Sequence, residues 1–208
     1  MASLFIDSTY DITLGILDDE MGWISFQRFI GQRSSNILQK ETHNLLKAAG
    51  IKTSDLSQVI TVAGPGFYTG LRLSEGVSDV FRFADINHFS FYSYQLPLLL
   101  GVESGYWMTK AYRGEYFFHR WDLNDKSNIL VTESELPSFI EKLKEERAFI
   151  HSDTALDEIS RNLLKDATDT HSLLRNRSKD IFKKIIAENS RVDSYYFRAP
   201  EDEFRVSK

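Results

Sequence analysis

The sequence predicts an α/β chain built as two successive βββαβα lobes whose mixed sheets are covered by helices. Three observations predict it. Short apolar, β-rich runs alternate with amphipathic helical stretches along the 208 residues. The element order up to residue 102 recurs from residue 103 onward, without sequence identity between the halves. Within the first half, the β-branched run Val59–Ala63 stops at Gly64-Pro65-Gly66 and gives way to a helical pattern from Gly70.

Taken in order, Leu4–Ser8, Ile12–Leu17 and Gly22–Phe29 read as strands separated by polar turns such as Asp18-Asp19-Glu20. Ser34 or Ser35 is placed to cap a helix that runs to Ala49 and stops at Gly50. Leu38, Thr42, Leu45 and Ala49 recur along it at helical spacing and form its core stripe. After the strand at 59–63 and the glycine loop, the helix from Gly70 turns Leu73, Val77, Val80, Phe81 and Ala84 inward. A strand at Ile86–Phe91 and a short helix near Tyr94–Leu100 close this half. The second half gives strands at Tyr106–Ala111, Tyr116–Trp121 and Asn128–Val131. A Thr132/Glu135 capping box then opens a helix through Lys144. A strand at Ala148–His151 and helical segments at Leu156–Leu164 and Asp180–Glu188 follow. The boundary is expected at Gly101–Gly105, giving lobes 1–102 and 103–208.

Composition narrows the function. A net charge of −5, with no basic excess in either half, argues against unaided binding to nucleic acid through phosphate contacts. Without cysteine there is no disulfide, thiolate nucleophile or cysteine-ligated zinc, which suits a reducing cytoplasm. The first residues lack a basic n-region, and no apolar run approaches the roughly 20 residues a membrane helix needs. The expectation is a cytoplasmic protein that does not touch membranes. His43, His88, His119, His151 and His171 lie far apart in sequence, with no His-Glu-x-x-His spacing, so no metal site is expected. There is no Gly-x-Ser-x-Gly elbow either.

The glycine loop is the main chemical candidate. Free amides at a helix start bind anions. However, Gly64-x-Gly66-x-x-x-Gly70 fits neither the dinucleotide fingerprint nor the lysine-bearing phosphate loop. The ordinary alternative is a strand-to-helix turn with no ligand. Asp7, ending the first strand, and Asp11, across the turn, are the remaining polar candidates. Twice βββαβα is the layout of the actin-like (ribonuclease H-like) fold. There, such a hairpin embraces phosphate and an acid helps to hold magnesium. Asp7 equally suits a simple turn-capping role through Ser8-Thr9-Tyr10.

The stretch Gly64-Pro65-Gly66-Phe67-Tyr68-Thr69-Gly70-Leu71-Arg72 resembles the GPGSFTGLR signature of the TsaB/YeaZ family, with Phe67-Tyr68 in place of Ser-Phe. Leu4-Phe5-Ile6-Asp7-Ser8-Thr9 is similar to that family's opening strand. Ala49-Gly50-Ile51 followed by Ser54-Asp55-Leu56, the Gly114-Glu115-Tyr116 hairpin and Tyr196-Phe197-Arg198 extend the resemblance. It implies an actin-like fold and a non-catalytic subunit in the synthesis of threonylcarbamoyladenosine beside the tRNA anticodon. It also implies a TsaD-like catalytic partner, a TsaE-like ATPase, and self-association as a homodimer. ATP and metal would sit on the partner subunits, and tRNA would be met only through the complex. Gly64, Pro65, Gly66, Thr69, Gly70 and Arg72 are the motif residues on this reading, with Asp7 and Asp11 a vestigial nucleotide site. Arg33-Ser34-Ser35 and Lys110 depart from the family pattern, and a cation at 110 cannot ligate magnesium. The alternative is a stand-alone ATPase or small-molecule kinase of the same superfamily.

If pairing is the function, the first two helices need a second usable stripe. Ile37, Glu41, Asn44 and Ala48 form one on the first helix, and Gly76 and Phe83 flank the core stripe of the second. These six residues are the expected partner interface.

Overall fold

The computed structural model describes residues 1–31, 34–112, 114–151, 162 and 164–197, with the backbone alone at 34–36. They divide into two compact units, Met1–Tyr92 together with the chain from Phe182, and Ser93–Ile181.

In the first unit β1 (Ala2–Asp7), β2 (Ile12–Leu17), β3 (Trp23–Phe29), β4 (Leu56–Val62) and β5 (Asn87–Phe91) form one sheet in the order β3-β2-β1-β4-β5. The hairpin strands β1, β2 and β3 pair antiparallel, while β4 lies parallel to β1 and β5 parallel to β4. Every residue of β1 and β2 is buried, which requires cover on both faces. Strand alternation supplies it. Leu4, Ile6, Ile12, Leu14 and Ile16 face α1 (Ser34–Ala48) and α2 (Tyr68–Phe83), meeting Leu38, Leu45, Leu46 and Phe81. Phe5 points the other way, with its ring 5.6 Å from Trp23 and 5.5 Å from Phe182.

The second unit repeats the topology. It begins with α3 (Gln95–Leu99), followed by β6 (Gly105–Lys110), β7 (Glu115–Trp121) and β8 (Lys126–Thr132). After α4 (Leu136–Lys142) come β9 (Ala148–Ile150), β10 (Thr168–Asp169) and α5 (Thr170–Asn176). Its sheet runs β10-β9-β6-β7-β8, again an antiparallel meander of three strands beside two parallel ones. Tyr106, Met108, Tyr116, Phe118, Val131 and Ile150 pack against Leu136, Ile140 and Leu143 of the α4 region. The final helix, α6 (Ser178–Ala187), begins in the second unit, and its residues from Phe182 belong to the first. The α/β architecture with two mixed sheets and covering helices is therefore the one the sequence predicts.

Three expectations change. The lobe boundary lies at 92/93 rather than 102/103, and the chain from Phe182 returns to the first unit. The reason is packing: the Tyr94 ring stacks on His119 at 3.9 Å, and the Phe182 ring sits against Phe5 and Trp23. At α4, Glu135 occupies the cap position and its carboxylate accepts from Thr132 N and Oγ1. Thr132 thus donates to the glutamate instead of capping the helix. Thirdly, β10 and α5 were not expected at all, because a two-residue strand carries no periodicity. The helix expected at 156–164 lies outside the described residues except for positions 162 and 164, and so do the side chains of Ser34 and Ser35. Among the described residues no helix is long and apolar enough to cross a membrane.

Candidate functional site

The glycine loop connects β4 to α2, and its amides are used within the fold. Gly66 N donates to Tyr195 O at 3.3 Å and Phe67 N donates to Thr9 O at 3.0 Å. Tyr195 N in turn donates to Ala63 O at 2.8 Å, and Gly66 forms a parallel bridge with Tyr196. The C-terminal segment and the β1–β2 turn therefore occupy the places an anion would take. Gly66 is required by close approach: a Cβ there would lie 2.8 Å from the Thr9 backbone. Gly70 is tighter still, its Cβ position falling 1.9 Å from the Ser8 carbonyl oxygen. Gly64 adopts φ +120°, and the bond to Pro65 is cis.

Phe67 and Tyr68 pack their rings against neighbouring aromatics. The Phe67 ring sits 5.2 Å from Tyr10 and 5.9 Å from Phe197. Tyr68 lies 5.3 Å from Tyr196, and the Arg72 guanidinium covers both rings at 5.4 and 5.6 Å. Arg72 also donates to Glu75 Oε2 at 2.9 Å, and the Tyr196 hydroxyl donates to Glu75 Oε1 at 3.3 Å. Burial, and then the Glu75 carboxylate, raise the Tyr196 phenol above its ordinary value. Thr69 is exposed at the helix start. Of the motif residues, Gly64, Gly66 and Arg72 thus join the loop to the 195–197 segment, and Gly70 joins it to Ser8.

Asp7 and Asp11 make separate contacts. Asp7 is fully buried, and its Oδ1 accepts from Thr9 N at 3.0 Å and Thr9 Oγ1 at 2.6 Å, the turn-capping arrangement. Asp11 Oδ1 accepts from Gly31 N at 3.1 Å, and Oδ2 lies 3.9 Å from an Arg28 amine, so this carboxylate clamps the open end of the β2–β3 hairpin.

The expected interface is only partly on one surface. Ala48 and Asn44 are exposed, Glu41 is half-buried and accepts from Asn44 Nδ2 at 3.1 Å, and Ile37 packs against the core. Phe83 is 93% exposed and Val80 67%. The buried positions of α2 are Gly70, Leu71, Ser74, Ser78 and Phe81; of the expected stripe Phe81 is buried, Leu73 and Val77 pack half-buried against the core, and Val80 and Ala84 are exposed. The buried stripe is thus shifted toward Ser74 and Ser78 by less than one residue step of about 100°. Contact with the β1 turn causes this: Ser8 Oγ donates to Gly70 O at 2.7 Å and meets Ser74 Oγ at 2.6 Å, leaving room only for small residues. Leu73, Val77 and Val80 line a groove of about 520 Å³ shared with Leu46 and Thr42 of α1, and Gly76 borders it. Sequence periodicity alone missed this groove.

Elsewhere, His151 and His171, far apart in sequence, are buried in the second unit with rings 4.7 Å apart. His43 is exposed on α1. His119 is buried with Nδ1 2.6 Å from Asn128 Oδ1, and burial lowers its pKa. Gly114 turns the β6–β7 hairpin at φ +75°. Arg33, Arg113 and Arg198 lie outside the described residues.

Two five-stranded mixed sheets of identical strand order, each covered by helices, define an actin-like fold. The ethanolamine utilization protein EutJ from Carboxydothermus hydrogenoformans superposes with a TM-score of 0.50 at 14% identity, over 87% of this chain and 89% of that one. YeaZ from Pseudomonas aeruginosa is also similar, with a TM-score of 0.49 at 17% identity over 62% of this chain and 67% of that one. A further structure, described as similar to peptidase YeaZ from the same organism, gives 0.49 at 17% identity, and the match spans 66% of its length. No protein-family model and no curated protein matches the chain.

Proposed function

We propose that this chain is a TsaB-type, non-catalytic subunit that pairs with a TsaD-like catalytic partner, joined by a TsaE-like ATPase, in forming threonylcarbamoyladenosine on tRNA. The observation that carries the proposal is the Gly64–Arg72 motif together with what its amides do. Gly66 N and Phe67 N are spent on Tyr195 and Thr9, so this motif works as a structural corner that launches α2. Asp7 Oδ1 accepts from Thr9, whereas Asp11 accepts from Gly31 and pairs with Arg28; such different settings disfavour a magnesium-nucleotide site built on the two together. The apolar groove between α1 and α2, with Val80 and Phe83 beside it, supplies the surface on which a TsaD-like subunit or a second copy docks. Titration of the purified chain with magnesium-ATP tests the non-catalytic part. The proposal requires no turnover by the chain alone, whereas steady hydrolysis or phosphorylation of a sugar would assign it to the kinase and ATPase alternative.

A further inference from the structure

The opposite flank of α2 borders a second hollow, about 290 Å³ in volume, lined on one side by the 191–194 segment. Its inner surface is rich in hydroxyls: Thr61 on β4, Ser90 on β5, and Ser74 and Ser78 on α2 are all buried. The 191–194 segment is fastened to β5. Ser90 N donates to Ser190 O at 3.0 Å, Val192 N donates to Ser90 Oγ at 2.8 Å, and the Tyr92 hydroxyl donates to Asp193 O at 3.0 Å. Six charged side chains border the hollow, three guanidinium groups and three carboxylates. Arg72 pairs with Glu75 and Arg82 with Asp79 along α2. Arg191 and Asp193 are left. They stand two residues apart, and both border the hollow. Among the described residues neither has an oppositely charged group within ion-pair distance; Arg191 instead lies over the Phe89 ring at 6.0 Å. His88 adds a polar but uncharged group: its Nε2 is 2.9 Å from Thr61 Oγ1, and burial, then Arg82 and Arg191, hold its pKa down at about 4 against the opposing pull of Asp79.

We propose that this hollow binds a small zwitterion of free amino-acid size, its carboxylate meeting Arg191 and its ammonium group meeting Asp193. A bare anion would be drawn to Arg191 but repelled by Asp193, Asp79 and Glu75, and a bare cation would meet the reverse. Only a ligand carrying both charges satisfies both of the unmatched groups, and the hydroxyl-lined interior accommodates its remaining polar atoms through bound water. The volume lies just below the usual small-molecule range and fits a ligand of a few heavy atoms. This inference stands apart from the subunit function proposed above.

The test is a titration of the isotope-labelled chain with L-alanine, followed by amide and imidazole NMR shifts, with acetate and ethylamine as single-charge controls. Saturable shifts at Ser90, Val192 and His88 are expected with alanine, and at least tenfold weaker binding of either control. Arg191→Gln and Asp193→Asn are both surface changes, and each should weaken alanine binding at least tenfold with Tm unchanged. Absence of saturation with alanine overturns the proposal. Equal binding of acetate overturns it too, by making this an anion site, as does unaltered alanine binding by both variants.

Discussion

Ser8 Oγ donates to the Gly70 carbonyl at 2.7 Å, and a Cβ on Gly70 would lie 1.9 Å from the Ser8 carbonyl oxygen. This contact fixes how α2 leaves the glycine loop and which of its faces meets the sheet. Gly70→Ala should therefore destabilise the protein by about 2–3 kcal/mol, since both clashing groups are backbone and cannot step aside cheaply. Urea unfolding at constant m-value measures it.

Gly76 gives the converse result. Nothing lies within 4 Å of a Cβ placed there, and the residue sits inside an exposed helical turn. Gly76→Ala should stabilise the chain by about 0.5–1 kcal/mol, through the lower backbone entropy of alanine. Gly76→Arg should fold with a Tm no lower than wild type yet obstruct the α1–α2 groove. Sedimentation of this variant separates folding from association: association as strong as that of the wild type would remove the groove from the interface.

Tyr196 connects the C-terminal segment to α2 through Tyr68, Arg72 and Glu75. Tyr196→Ala is expected to cost about 1 kcal/mol, from lost ring contacts and the cation–π contact. Hydrogen exchange at Gly66 and Tyr195 should accelerate in the same variant, because their amides hold this segment to the loop.

His88 makes stability depend on pH. Its folded-state pKa, about 4, lies below the ordinary 6.5 because burial and then Arg82 and Arg191 disfavour the imidazolium. As pH falls through 6.5 the unfolded chain takes up a proton that the folded chain refuses until about pH 4, so its contribution is full above 6.5 and lost between 6.5 and 4. Allowing for partial solvent access, the loss is on the order of 1 kcal/mol. The difference in unfolding free energy between wild type and His88→Gln, followed by urea titration from pH 7.5 to 4, should show this slope. A flat difference would mean that His88 titrates normally.

The strands were legible because alternation along β1 and β2 leaves little choice: Leu4, Ile6, Leu14 and Ile16 need one buried face and Phe5 another. The repeated strand order was legible for the same reason. The shift of the buried stripe on α2 was not, since it depends on Ser8, 66 positions from Ser74, and periodicity favours the more apolar stripe at Leu73, Val77 and Val80. The 190–197 segment has no regular pattern, so its occupation of the glycine loop is visible only through Tyr195 and Tyr196. Likewise, nothing local pairs His151 with His171, which meet because the strand at Ala148–Ile150 runs parallel to Thr168–Asp169.

The most direct test of the central claim is sedimentation equilibrium of this chain mixed with purified TsaD-like subunit from the same organism. The account predicts a stoichiometric complex that Gly76→Arg or Phe83→Ser dissociates without lowering Tm. If the two proteins sediment independently at micromolar concentration, the proposed subunit function is contradicted.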